Sequence, residues 1–131
     1  MRRSDQRRAA VFALYQEEVT GRSTDEALDA AAPFSCELVE GVESHREELD
    51  TEIAALARGW DLNRIAALEK SILRVALFEL RHRDDIPDEV AIDEAVSLAK
   101  RYCGADAPGF VNGILGAVLR GVRDNGGAHA A

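Results

Sequence analysis

Proline and cysteine are scarce in this chain, and each scarcity removes a class of answers. Three prolines in 131 residues, set among long stretches of periodic apolar spacing, leave little room for a sheet. The two cysteines, Cys36 and Cys103, stand in no metal-ligand spacing. They read as free thiols in a reducing cytosol, with one disulfide left open. No apolar run approaches the ~20 residues needed to span a bilayer. The charged start "MRRSDQRRAA" leads into no secretory apolar core, so neither a membrane span nor an export signal is expected. A phosphate-cradling glycine loop of the P-loop or dinucleotide type is missing too. What is present, 47% apolar residues in 131, suits one globular domain with a genuine core.

The formal net charge of −8 argues at first against a nucleic-acid partner. Its distribution reverses that. Residues 1–16 carry four arginines and one acid, net +3, whereas residues 17–52 carry net −10 and the remainder is nearly balanced. A small basic pole therefore sits on an acidic protein, and local charge decides whether a phosphate backbone is attracted. Arg2, Arg3, Arg7 and Arg8 lie at the start of the first helix, where cations oppose the helix dipole. A sequence shaped only by folding would place acids there. Either these arginines serve solubility, or they form a phosphate contact site on the rim of a face that packs below.

Apolar periodicity predicts an all-α domain of about seven helices. The first runs from about Asp5 to Val19, with Ser4 as N-cap and Thr20-Gly21 as its stop. Thr24 caps a short second helix, Asp25 to Ala31, ended by Pro33. Phe34, Leu38, Val39 and Val42 mark a third helix. Leu49, Ile53 and Leu56 mark a fourth, stopped near Gly59-Trp60. The fifth carries the clearest stripe, Ile65, Leu68, Ile72, Leu73, Ala76, Leu77 and Leu80, and Ile86-Pro87 forces extended backbone after it. Ile92, Ala95, Val96, Ala99 and Tyr102 mark the sixth. The seventh begins near Asp106, with Pro108 in its first turn. A division near Gly59 would give sub-bundles of about 1–59 and 60–123, with 124–131 as a flexible tail.

Catalytic and metal chemistry find little support. Glu79 and His82 form one Glu-x-x-His, but di-iron bundles need a second pair and two more glutamates. A solvated helix face is the simpler reading, and no metal or cofactor is expected. Glu37, Glu40 and Glu43 lie three apart with no partner nucleophile, again a solvated face. Cys103 follows Lys100-Arg101 at a helix end and reads as a small core or boundary residue. Nothing in this pattern makes an enzyme.

The stretch "FVNGILGAVL" (110–119) is unusual. Asn-Gly between apolar residues is a hairpin signal, yet the apolar residues keep a helical period through it. Either Gly113 lets another helix or an RNA backbone come close while Asn112 donates near a helix N-terminus, or Asn112 caps a neighbour and Gly113 relieves crowding.

Taken with "RRAAVFALYQ" (7–16), "LEKSILRVALFEL" (68–80) and "IPDEVAIDEAVSLAKRY" (86–102), this stretch resembles the bacterial transcription antitermination factors of the NusB family. The likeness runs in order from Arg7 to about Leu119 and is most specific over 68–119. It implies two packed three-helix bundles. It also implies a single-stranded boxA-like RNA and the small ribosomal protein NusE as partners, and RNA polymerase indirectly. The arginine-rich start, Arg7 and Arg8 with Arg2 and Arg3 extending it, matches the family's RNA contact. Lys100, Tyr102, Asp106, Phe110 and Asn112 match its RNA-side helix end and loop, and Arg101 lies among them. Tyr15 of "ALY" and Glu69 of "EK…LR" match the region for the ribosomal partner. The chain departs from the family at Gly109, where a basic residue is frequent, at Asp93 in "IDEA", and in the rather apolar loop "CGADAPG". An RNA-binding accessory domain akin to those fused to ribosomal RNA methyltransferases, a structural helical adaptor, and a homodimer covering the partner surface all stay open at this point.

Overall fold

A computed structural model describes residues 2–28, 32–57 and 61–130, the side chains of 122–130 excepted. Six α-helices follow one another: α1 (Arg3–Thr20), α2 (Pro33–Ser44), α3 (Arg46–Leu56), α4 (Ala67–His82), α5 (Asp88–Tyr102) and α6 (Ala107–Ala130). Short 3-10 turns, Thr24–Glu26 and Leu62–Arg64, join α1 to α2 and α3 to α4. There is no strand among the described residues.

Local signals explain most boundaries. α1 stops where expected: Gly21 takes the left-handed region at φ 76° and its N–H donates to the Glu17 carbonyl at 2.8 Å. Its start lies earlier than expected, with Arg2 as N-cap. Ser4 does not cap, because its hydroxyl donates to Glu94 of α5 at 2.5 Å. Among the described residues the expected second helix is the turn Thr24–Glu26, and six α-helices are found. Ser23, not Thr24, caps that turn by accepting from the Asp25 N–H. Thr24 is buried and donates instead to Glu43 of α2 at 2.8 Å. Residues 29–31, the end of that expected helix, and Gly59-Trp60, the expected stop of the fourth, lie outside the described residues. Asn112-Gly113 sits inside α6 and makes no hairpin. α6 also includes most of the stretch read as a tail.

α4 is the axis of the fold. Every residue from Lys70 to Glu79 is buried, and α4 packs against α1, α2, α3, α5 and α6. A helix apolar on most sides belongs in the middle. Ile72, Leu73, Val75, Leu77 and Phe78 are buried in it, each contributing roughly 1.5–3 kcal/mol of transfer free energy. One contact needs glycine: a Cβ built on Gly41 of α2 would stand 2.1 Å from the Phe78 ring. Only a bare backbone lets α2 and α4 close at that point.

Two charged clusters are folded into this core. The Arg7 guanidinium of α1 forks onto Glu79 of α4, Nε at 2.9 Å and 3.0 Å and Nη2 at 2.5 Å. Burial pushes the Glu79 carboxyl up from its ordinary value, while the Arg7 hydrogen bonds pull it down. Arg74 of α4 likewise grips Asp50 of α3 at 2.7 Å and 3.0 Å, and with Lys70 it holds Glu18 of α1. Gln6 ties α1 to the first turn of α2, accepting from the Phe34 N–H at 3.0 Å and receiving Ser35 Oγ on its carbonyl at 2.6 Å.

Candidate nucleic-acid and partner interface

The four N-terminal arginines separate by helical register. Arg7 lies three and four residues before Ala10 and Val11, on the inward stripe, and its side chain is 4% exposed. It is not a rim residue: both arms of its guanidinium are spent on Glu79, with Glu94 3.5 Å from Nη1. Arg2, Arg3 and Arg8 keep 85%, 52% and 35% of their side-chain surface. Arg2 and Arg8 flank Asp5 on the surface, at 3.5 Å and 3.1 Å. Arg3 lies over the Phe34 ring and pairs with Asp85 at 3.2 Å. Such exposed pairs are worth little, so these side chains are free to exchange partners.

The fold brings the end of α5 to this pole. Arg2, the N-cap, and Ser4, Asp5 and Arg8 of α1 line one groove with Glu94, Ser97 and Arg101 of α5, so three cations from distant stretches share a rim with two acids. Arg101 lies over the ring of Tyr102, 5.5 Å from its centroid. Tyr102 is 39% exposed and meets Phe12 edge-on at 5.0 Å, and Phe12 meets Tyr15 at 6.3 Å. This aromatic chain runs along α1 from the basic groove toward a second recess. Phe12 was not singled out by sequence, though its place three residues before Tyr15 on the helix was a usable signal.

The second recess surrounds Glu69. Tyr15, Val19, Leu68, Tyr102 and Cys103 line one side of it, and Arg64, Ile65, Asp106 and Phe110 line the other. Glu69 makes no ion pair among the described residues, and burial raises its pKa above the ordinary carboxylate value. The Cys103 thiol is pushed up by burial and by the Glu69 charge. Both cysteines are unbridged. Asp106 and Phe110, expected with the RNA residues, thus stand beside Glu69, while Tyr102 adjoins both surfaces.

Lys100 and Asn112 are exposed and make no side-chain hydrogen bond or ion pair among the described residues. Asn112 caps no neighbouring helix there. A Cβ on Gly113 would meet nothing within 4 Å. Gly113 therefore relieves no crowding against another helix, and its surface is open. The Glu37, Glu40 and Glu43 row is partly engaged, Glu37 with Arg83 at 3.0 Å and Glu43 with Thr24.

The model of the NusB family matches residues 4–120. The chain belongs to the NusB family. The transcription antitermination protein NusB of Symbiobacterium thermophilum is 41% identical, the match covering 100% of this chain and 97% of that relative. The protein of the same name from Rubrobacter xylanophilus is also 41% identical, over 95% and 91%. Among solved structures, NusB of T. maritima superposes with a TM-score of 0.85 at 32% identity, covering 92% of each chain. A chain from a crystal structure of antitermination factors NusB and NusE in complex with dsRNA superposes at 0.79 with 25% identity, covering 92% of this chain and 99% of that one. This NusB-family chain therefore has the all-helical fold that the resemblance implied, and transcription antitermination is its class of function. No described helix is long and apolar enough to cross a membrane.

Proposed function

We propose that this chain binds boxA-type nascent ribosomal RNA jointly with the ribosomal protein NusE, and that the pair supports elongation by RNA polymerase in the cytoplasm. It acts by binding and not by catalysis. The observation that carries this reading is the adjacency of two chemically different surfaces. Exposed Arg2 and Arg101 and half-buried Arg8 rim a groove beside a ring that a base can stack on, which suits single-stranded RNA. Glu69 sits unpaired in an apolar recess with Tyr15, which suits a cation delivered by a protein partner. The solved relative in complex with NusE and dsRNA supports an RNA and NusE as the two kinds of ligand. Lys100, Tyr102 and Asn112 extend the RNA surface, and Arg3 borders it. Asp106 and Phe110 lie where RNA and partner would adjoin.

The test is a titration of boxA-like and scrambled RNA, with and without the ribosomal protein, repeated across salt concentrations. Preference for boxA should sharpen with the partner. Each phosphate neutralised adds about −0.7 to the log–log salt slope of a single strand. Changing Arg2, Arg8 and Arg101 to alanine should therefore flatten the slope by about 2. Equal binding of scrambled RNA with and without the partner, or a slope untouched by the triple change, overturns the reading.

A further inference from the structure

His45, Glu48 and His82 converge outside both recesses, and we propose that they form a binding site for one divalent transition-metal ion of the zinc type. His45 stands at the junction of α2 and α3, Glu48 in the first turn of α3, and His82 at the last turn of α4. One ligand atom from each lies within 4.8 Å of the other two. The imidazole rings face each other at 4.0 Å and 32°, and His82 Nε2 is 3.2 Å from Glu48 Oε1.

The hydrogen bonding prepares His45 as a ligand. Its Nδ1 lies 2.9 Å from the Gly41 carbonyl. A carbonyl only accepts, so Nδ1 carries the proton and the neutral ring keeps its Nε2 lone pair free. A ligating histidine is commonly oriented by this kind of bond from its other nitrogen to a backbone carbonyl. His82 is held as well, stacked on Phe78 at 5.4 Å and 29°. A metal ion held between the two rings would use a nitrogen lone pair from each.

Two nitrogens and one carboxylate oxygen select zinc, cobalt, nickel or copper over magnesium and calcium, which prefer all-oxygen sets. In a tetrahedral site with bonds of ~2.0–2.1 Å, ligand atoms stand about 3.4 Å apart. The Glu48 side chain, 53% exposed, has room to close the remaining gap. Ser44, Glu47 and Thr51 line the open recess beside it, so water completes the fourth position. Bound metal would clip the end of α4 to the start of α3.

The site escaped the sequence reading because His82 was weighed against its helix neighbour Glu79. Glu79 turns inward to Arg7, and the partners of His82 come from more than thirty residues upstream.

The test uses the tag-free full chain. Zinc titrated by calorimetry should bind one to one in the micromolar range or tighter, and Co2+ should give visible d–d absorption that zinc abolishes. His82→Gln and Glu48→Gln should each weaken zinc by more than the ~10–100-fold lost with an outer-shell partner, with circular dichroism unchanged. His129→Ala, the remaining histidine, should bind like the parent. Absence of saturable one-to-one binding, or parent-like affinity in both His82→Gln and Glu48→Gln, overturns the site.

Discussion

Replacing Arg7 by alanine should unfold the protein more readily without acting first on RNA. The Glu79 carboxylate is fully covered, with 0% of its side chain exposed, and Arg7 supplies three of the hydrogen-bond contacts on its oxygens. Its surroundings are Val11, Ile72, Val75, Ala91, Ala95 and Leu98, which offer no substitute donor. Breaking such a pair from one side costs roughly 3–5 kcal/mol. For a chain of this length each kcal/mol moves Tm by ~3–5 °C, so the loss is about 10–25 °C. The sign with pH follows from the orphaned acid. Without Arg7, the folded-state pKa of Glu79 lies further above its unfolded value. That contribution favours folding below the unfolded value and is lost as pH rises through the folded one. The deficit of Arg7→Ala should therefore be smaller near pH 4 than at pH 7, measured by calorimetric or circular-dichroism melting. A double change, Arg7→Met with Glu79→Leu, should recover most of the stability, because an apolar pair needs no desolvation repaid. An Arg7→Ala protein that melts like the parent yet binds RNA weakly refutes this reasoning and returns Arg7 to the surface.

Glycine positions separate packing from propensity. Gly41→Ala should destabilise by about 1–3 kcal/mol or more as the Phe78 ring is displaced, whereas Gly113→Ala should be neutral or stabilise by up to ~1 kcal/mol in an open helix interior; denaturant midpoints distinguish them, and equal effects would refute the packing assignment. Glu69→Gln should leave the isolated protein at least as stable at pH 7, since a carboxyl whose pKa is raised by burial favours folding at low pH and loses that contribution as pH rises through its folded value. The same variant should bind the ribosomal partner less tightly by calorimetry, and normal affinity would make Glu69 a bystander.

How far the sequence speaks depends on whether a residue's partner is near it in the chain. The stripes of α4 and α5, the Gly21 stop and the helical course through Asn112-Gly113 were legible from spacing alone. Arg7 was misplaced on the rim because its composition, four arginines in one segment, outweighed its register. Yet Arg7 lies in phase with Ala10, Val11 and Leu14, and Glu79 lies in phase with Ile72, Val75 and Ala76. A charge in phase with an apolar stripe on each of two helices is a sign of a buried pair. The convergence of Arg2 and Arg8 with Arg101, and of Tyr15 with Glu69 and Phe110, needed tertiary structure, since no local rule relates α1 to the ends of α4 and α5. Thr24 was misread as a helix cap because its hydroxyl finds Glu43 across the chain, while Ser23 caps the 3-10 turn.

The position of α4 has a consequence for how the molecule comes apart. Because this one helix is a wall for α1 and α2 on one side and for α5 and α6 on another, neither side holds a complete interior of its own. Buried leucines of α4 belong to the same continuous cluster as Leu14, Leu38, Leu49 and Leu115. Amide protons in the middle of α4 should then exchange with solvent only when the whole molecule opens, while the ends of α1 and the turns exchange through local fraying. The two proposed ligand surfaces rest on a single cooperative unit, and a fragment from either half would have to borrow α4 from the other before it could hold a shape.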